Sequence, residues 1–254
     1  MVYIPPGTIT GIVGEMGSGK TFVSLLVGFE IAEALKLDII TNFHLNAKAL
    51  YYYFLYNGYT WLLSRLIHGY IQVRSCASGD KLLLSEFMRE KKTLYIIDEA
   101  GAVYLNARNF KNIPLDFLAS LAQVRHDSRR IFWIGQYKDQ ADKTIRELTS
   151  AYIFCDCPTK NSDKLGGNQE LVGKFFRIFT ARNFTVFERK VLGGQVTGFK
   201  AYASSLKLAE KTYQGNLTAL DKLLFKCYSS FARVEENPCL VNPLKPWISY
   251  REVC

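Results

Sequence analysis

One octapeptide, Gly14-Glu15-Met16-Gly17-Ser18-Gly19-Lys20-Thr21, restricts the folds open to this chain more than any other segment. It satisfies G-x-x-x-x-G-K-[ST] in full. Ahead of it runs a short β-branched stretch, Thr8 to Val13. Behind it Phe22, Leu25, Leu26, Phe29 and Ala32 recur at helical spacing, which predicts a helix from about Lys20 to Leu35. Strand, glycine loop and helix in that order build a phosphate cradle. The glycines let backbone amides curl around phosphate oxygens, and the helix start adds positive potential. Lys20 would reach the β and γ oxygens of a nucleotide and the Thr21 hydroxyl would hold Mg²⁺. All eight residues are candidate nucleotide-binding residues, with ATP and Mg²⁺ as the expected ligands.

The rest of the chain supplies a sheet for such a loop. Leu37 to Thr41, Thr93 to Ile97, Arg130 to Gly135 and Ala151 to Cys155 read as strands. Lys48 to Ile67, Leu82 to Arg89, Leu115 to Val124 and Asp142 to Leu148 read as helices between them. This alternation predicts an α/β P-loop NTPase fold with a mainly parallel central sheet flanked by helices. After a stretch rich in Gly, Asn, Asp and Lys at 160–169, three segments (Phe175 to Thr180, Phe184 to Val191, Gln195 to Tyr202) read as antiparallel strands, with a turn at Leu192-Gly193-Gly194. The expected division is an ATPase core at 1–157, a small antiparallel or mixed extension at 158–215, and a C-terminal helix (Leu217 to Tyr228) with an irregular tail at 216–254.

Ile96-Ile97-Asp98-Glu99 completes the nucleotide chemistry. An acidic residue ending a buried strand, expected beside the first strand, can hold hydrated magnesium, which gives Asp98 the metal role through water. Glu99 is placed to orient or deprotonate the attacking water. Two carboxylates in tandem favour hydrolysis over phosphoryl transfer to a small acceptor. Gln136, ending the strand Arg130 to Gly135, is a candidate sensor of the γ-phosphate, although on spacing alone an ordinary strand-end glutamine explains it better. Arg108, Arg125, Arg129, Arg130 and Arg146 follow the acidic pair. A motor that fires between subunits needs an arginine on its neighbour's γ-phosphate, and Arg125 and Arg146 are the preferred candidates, although for any single one a surface charge or ion pair is the stronger reading.

Composition bears on partners. With 32 Lys and Arg against 23 Asp and Glu, the 254-residue chain carries a formal charge of +9, which suits a polyanion or an anionic membrane surface. No apolar stretch reaches the roughly 18 residues a membrane-spanning helix needs, and Pro5-Pro6-Gly7 leaves no secretory signal at the start, so a soluble intracellular chain is expected. The six cysteines form no paired metal-ligand set, and alternate strand positions explain Cys155-x-Cys157 as well as a metal does. Tyr51-Tyr52-Tyr53-Phe54, Tyr56, Tyr59 and Trp61 could stack nucleic-acid bases, but packing of a helix against the sheet or a partner is the stronger reading.

In their order along the chain, Gly14 to Thr21, Thr41-Asn42, Ile97-Asp98-Glu99-Ala100, Arg125-His126, Gly135-Gln136, Ile145-Arg146, Tyr202 and Tyr213 resemble the zonula occludens toxin-like ATPases. That family includes the assembly ATPases of filamentous phages, within the wider FtsK–HerA group of DNA-pumping motors. The resemblance covers roughly residues 5–215. It implies that Asp98 and Glu99 form the magnesium and water-activating pair, that Gln136 is the polar sensor, and that His126 has a relay or interface role. It also implies a homo-oligomeric ring. Filamentous-phage members usually carry a membrane-spanning segment after the ATPase domain, which this sequence lacks. A membrane would then be reached through a partner, or the chain would be a soluble packaging motor.

The expected function is an ATP-hydrolysing motor of virion morphogenesis acting on phage DNA of either strand type. Coat or membrane assembly proteins are further candidate partners. The expected setting is the host cytoplasm, the periphery of the inner membrane, or the virion. Two alternatives stay open: a nucleotide-gated scaffold for coat or membrane proteins, and a small-molecule NTPase or kinase.

Overall fold

A computed structural model of the chain describes residues 9–78, 81–100, 105, 117, 119, 121, 123–156, 176–192, 195–213, 219–228 and 239–241. In chain order its elements are β1 (Ile9–Val13), α1 (Lys20–Leu35), β2 (Asp38–Thr41), β3 (Leu45–Asn46), α2 (Ala47–Asn57), α3 (Thr60–Ile67), β4 (Ile71–Val73), β5 (Ala77–Ser78), β6 (Lys81–Leu82), α4 (Leu84–Phe87), β7 (Thr93–Ile97), β8 (Arg130–Gly135), α5 (Lys143–Leu148), β9 (Ala151–Asp156), β10 (Phe176–Leu192), β11 (Gln195–Tyr213), α6 (Ala219–Phe225) and β12 (Leu240–Val241). Eight strands form one sheet in the order β11-β10-β9-β1-β8-β7-β2-β4. The six from β9 to β4 run parallel, and β10 and β11 continue the sheet antiparallel. This is the expected α/β P-loop fold.

The parallel strands form because both of their faces are covered. Along β7, Leu94 and Ile96 join one core cluster while Tyr95 and Ile97 join the other. Phe132 and Ile134 divide from Ile131 and Trp133 in the same way along β8. The first cluster lies under α1, α2 and α3. The second includes Leu84 and Phe87 of α4 together with Phe117, Leu121 and Ile145. Helix α1 settles on β7 and β8 at Gly28, where an added Cβ would stand 3.1 Å from Leu94 Cδ2 and 3.2 Å from Ile96 Cδ1.

Several expectations need correction. β7 does not lie beside β1, because β8 is inserted between them. The single helix expected from Lys48 to Ile67 is two. Gly58 takes a left-handed φ of 69°, its amide and that of Tyr59 close back on Leu55 and Phe54, and α2 ends there. The helix expected at Leu82 to Arg89 shortens to the four residues of α4. The three antiparallel strands expected after 170 are two long ones, Phe176 paired with Tyr213 through to Leu192 paired with Gln195. The break expected between Thr180 and Phe184 is a register shift at Thr180/Ala181 inside one strand. β10 pairs with β9 only over Arg177 to Arg182, so the remaining ribbon passes the end at which the parallel strands begin. Residues 117, 119, 121 and 123 are helical. Val124, the expected last residue of the helix from Leu115, is in a turn; positions 115, 116, 118, 120 and 122, together with Arg108 and Cys157, fall outside the described residues.

Candidate functional site

The phosphate loop takes its shape from what its glycines permit. β1 is wholly buried and is followed by Gly14, whose amide donates to the Gln136 carbonyl at 3.2 Å. A Cβ at Gly14 would stand 2.1 Å from the Cys155 carbonyl oxygen and 2.6 Å from Ser18 Oγ, so only glycine fits. Gly17 and Gly19 adopt left-handed φ angles of 73° and 84°. Ser18 N–H donates to the Glu15 carbonyl at 3.1 Å, and the Lys20 ammonium donates to the same oxygen at 2.8 Å. Helix α1 then begins at Lys20 with no side-chain cap and no acidic residue in its first turn. Its first amides are therefore oriented for an anion. Ser18 Oγ is buried in this loop without a hydrogen-bond partner.

The acidic pair meets the loop. Thr21 Oγ1 donates to Asp98 Oδ2 at 2.9 Å, joining residues 77 apart in sequence. Asp98 Oδ1 accepts the Glu99 amide at 2.8 Å. Glu99 has a φ of 51°, a left-handed conformation that costs a non-glycine residue about 1 kcal/mol and recurs at functional sites. Burial pushes the Asp98 carboxyl upward, opposed by the Glu99 amide, the Thr21 hydroxyl and Lys20. Glu99 also shifts upward, first through burial and then through the charge of Asp98, again against Lys20. A hydroxyl and a carboxylate converging at hydrogen-bond distance are hard oxygen donors of the kind Mg²⁺ takes. The residues present therefore fit that ion.

The inserted strand places Gln136. β8 runs between β1 and β7, so its end brings Gln136 alongside both the loop and the acidic pair. Its carbonyl holds Gly14, and Gln140 Oε1 accepts the amides of Gln136 and Tyr137 at 3.2 and 3.3 Å. The two arginines lie elsewhere. Arg146 is half-buried on α5, and its Nη1 donates to Asp139 at 2.8 Å. Arg125 is exposed, just ahead of the start of β8, one strand length (about 20 Å) from the phosphate loop of its own chain. A role for Arg125 on nucleotide would have to be played on a neighbouring subunit.

Asn42 is a site residue to which the sequence assigned no task. It is 1% exposed, its Nδ2 donates to the Asp98 carbonyl at 3.1 Å, and its Oδ1 accepts the Asp98 amide at 2.7 Å. The available signal was a polar residue directly after the apolar strand Asp38 to Thr41, the place where strand ends carry chemistry in such sheets.

The sequence matches the family described as Zonular occludens toxin (Zot) over residues 9–233. No curated protein matches it. Among solved structures, the chain is similar to the N-terminal domain of zonular occludens toxin from Neisseria meningitidis, at 16% identity and a TM-score of 0.43, covering 88% of this chain and 99% of that one. It is also similar to the genome packaging NTPase B204 from Sulfolobus turreted icosahedral virus 2 in complex with ATP-gammaS. That match is 14% identical with a TM-score of 0.37, covering 68% of this chain and 91% of that one.

Proposed function

We propose that this chain, which belongs to the Zonular occludens toxin (Zot) family, is an ATP-hydrolysing motor of virion morphogenesis that moves phage DNA during assembly, export or packaging. The observation that carries the reading is the 2.9 Å bond between Thr21 and Asp98, which brings the phosphate loop and the acidic strand into one site with Glu99 beside them.

In this reading the loop from Gly14 to Thr21 wraps the triphosphate, with the amides at the start of α1 turned toward it, and Lys20 pairs with its β and γ oxygens. Thr21 and Asp98 would hold Mg²⁺, the latter through water, and the ion would supply neutralisation of the phosphate charge. Glu99 orients a water against the γ-phosphorus and takes its proton as the bond to the β–γ bridging oxygen breaks. The upward shift of Glu99 moves its pKa toward the operating pH, as general-base catalysis favours. Gln136 senses the γ-phosphate. Arg125 or Arg146 reaches a neighbour's nucleotide in a homo-oligomeric ring. Among the described residues no helix is long and apolar enough to cross a membrane. We place the motor in the host cytoplasm, where it meets coat or membrane assembly proteins at the inner membrane surface or on the virion.

The test is phosphate release by the wild type and by Lys20→Ala, without DNA and with single- or double-stranded DNA. Stimulation by one strand type, lost in the variant, is the expected result. Turnover indifferent to DNA would assign a small-molecule NTPase. Assembly on ATP without phosphate release would assign a scaffold.

A further inference from the structure

We propose that a second cleft, at the end of the sheet opposite the phosphate loop, binds one nucleotide unit of a single-stranded nucleic acid; this rests on the reading of the chain as a DNA motor. The cleft has a volume of about 280 Å³ and is lined by Lys36, Asp38, Trp61, Arg65, Lys92 and Ser128, among others. Asp38 opens β2, Lys92 directly precedes β7, and Ser128 lies two residues ahead of β8. All three therefore sit where parallel strands begin, whereas the nucleotide site sits where they end, about 17 Å away for a five-residue strand.

The chemistry is an aromatic platform with a basic rim. Trp61 is fixed by its indole N–H, which donates to the Leu37 carbonyl at 3.1 Å, and it stays partly exposed. The Arg65 guanidinium lies 5.0 Å from the Trp61 ring centre and 3.4 Å from that of Tyr70, and Lys36 Nζ lies 5.9 Å from Trp61. Arg65 is held there by Asp38, with Nη2 donating to Oδ2 at 2.7 Å. Lys92 is exposed and makes no ion pair among the described residues. The lining carries three cations and one carboxylate, and a second carboxylate, Glu33, pairs with Lys36 at 2.9 Å beside it, which leaves an excess of one positive charge. Stacking on an aromatic face with flanking cations for the phosphates is how single strands are gripped without sequence preference. An acidic peptide would use the cations but leave the ring without a role.

Backbone conformation points the same way. Four described non-glycine residues have a positive φ: Glu99 in the candidate catalytic pair, and Lys36, Lys92 and Ser128 in this cleft, at 57°, 51° and 54°. Glycine would take those angles without steric cost. Lys36 takes its angle as the left-handed cap that ends α1, whereas Lys92 and Ser128 keep side chains where glycine would sit more easily, a conformation that recurs at functional sites.

The experiment measures binding of a fluorescently labelled oligothymidylate to the full chain by anisotropy, with dTMP in parallel, for the wild type and the double variant Lys36→Gly, Lys92→Gly. Glycine suits both backbone positions, so the variant is expected to melt no lower than the wild type. Its affinity for the oligonucleotide is expected to fall about tenfold, and its salt dependence to flatten by about 1.4 in log–log slope, two phosphate contacts at about 0.7 each. Equal affinity in the variant would overturn the cleft while leaving the DNA reading intact. Equal affinity for dTMP and oligonucleotide would assign the cleft to free nucleotides instead. A wild type that binds no oligonucleotide at all would remove both the cleft and the DNA reading.

Discussion

Asn42 grips Asp98 from both sides of its peptide group, accepting the Asp98 amide at 2.7 Å and donating to the Asp98 carbonyl at 3.1 Å. The pairing resembles one rung of a sheet ladder, made by a side chain. It continues the contact between β2 and β7 one step past Thr41 paired with Ile96, at the point where backbone pairing gives way to the left-handed turn at Glu99. Asn42 therefore sets the height at which the Asp98 carboxylate meets Thr21.

Replacing Asn42 by Ala leaves the Asp98 amide and carbonyl without these partners in a half-buried site. A stability loss of about 1–3 kcal/mol is expected. The two acidic residues also lose their register with the phosphate loop, so kcat for ATP is expected to fall at least tenfold with little change in KM. Steady-state hydrolysis beside thermal melting checks this. A variant that melts early yet keeps its kcat would show that Asn42 supports the fold alone.

The upward shift of Asp98 has a pH consequence. A carboxyl whose folded pKa exceeds its unfolded value contributes stability that is fully present below the unfolded value and is lost as pH rises through the folded one. The ligand-free protein is therefore expected to lose stability as pH rises from the ordinary aspartate value of 3.8 through the higher titration point of Asp98. Glu99 adds to the same trend. Asp98→Asn, neutral throughout, is expected to lose part of that slope and to melt above the wild type at pH 8. A melting temperature below the wild type at that pH would contradict the account, because it would mean that the ionised carboxylate is favoured in the fold.

Gly14→Ala tests the loop sterically. The added Cβ would stand 2.1 Å from the Cys155 carbonyl oxygen, a backbone atom of β9. The clash cannot be relieved by a side-chain rotation, so β1 and β9 must part. Overpacking of this kind costs about 1–3 kcal/mol and at times more, or a fall of roughly 3–10 °C in Tm for a chain of this size. Nucleotide binding should be lost with it, because the same shift opens the loop. Calorimetry and a fluorescent nucleotide titration read the two effects separately.

The parts of the fold legible in the sequence are those whose determinants are local. Helix α1 runs from Lys20 to Leu35, as its apolar spacing predicts, and β7 and β8 coincide with the predicted runs because strands covered on both faces are apolar throughout. Thr21 and Asp98 could be assigned to one site because each carries a motif. What the sequence did not hold is which strand neighbours which. β8 stands between β1 and β7 through long-range packing, and no residue in β8 announces it. The pairing of Leu45 with Leu240 was equally hidden, since two residues on each side carry no periodicity. Asn42 was visible as a residue but silent as to its task, which depends on a neighbour 56 positions away.

The C-terminal helix offers the last test. Phe225 of α6 stacks on Phe22 with ring centres 4.5 Å apart, and Phe22 directly follows Thr21 in α1. Beyond the helix, the Cys227 carbonyl accepts the Asn46 amide at 2.8 Å, and Tyr228 bridges to Leu45, so this segment is tied to β3, which follows Asn42 in the chain. Phe225 remains 38% exposed. Its truncation to Ala should therefore cost less than the 3–5 kcal/mol of a fully buried ring, about 2 kcal/mol. Because the ring braces the first turn of α1, affinity for Mg-ATP should fall along with stability. Leu220, on the same helix and 37% exposed, supplies the matched control. Leu220→Ala is expected to leave nucleotide affinity unchanged. If Phe225→Ala lowers Tm while nucleotide binds as in the wild type, α6 is a prop for the core and the phosphate loop keeps its shape without it.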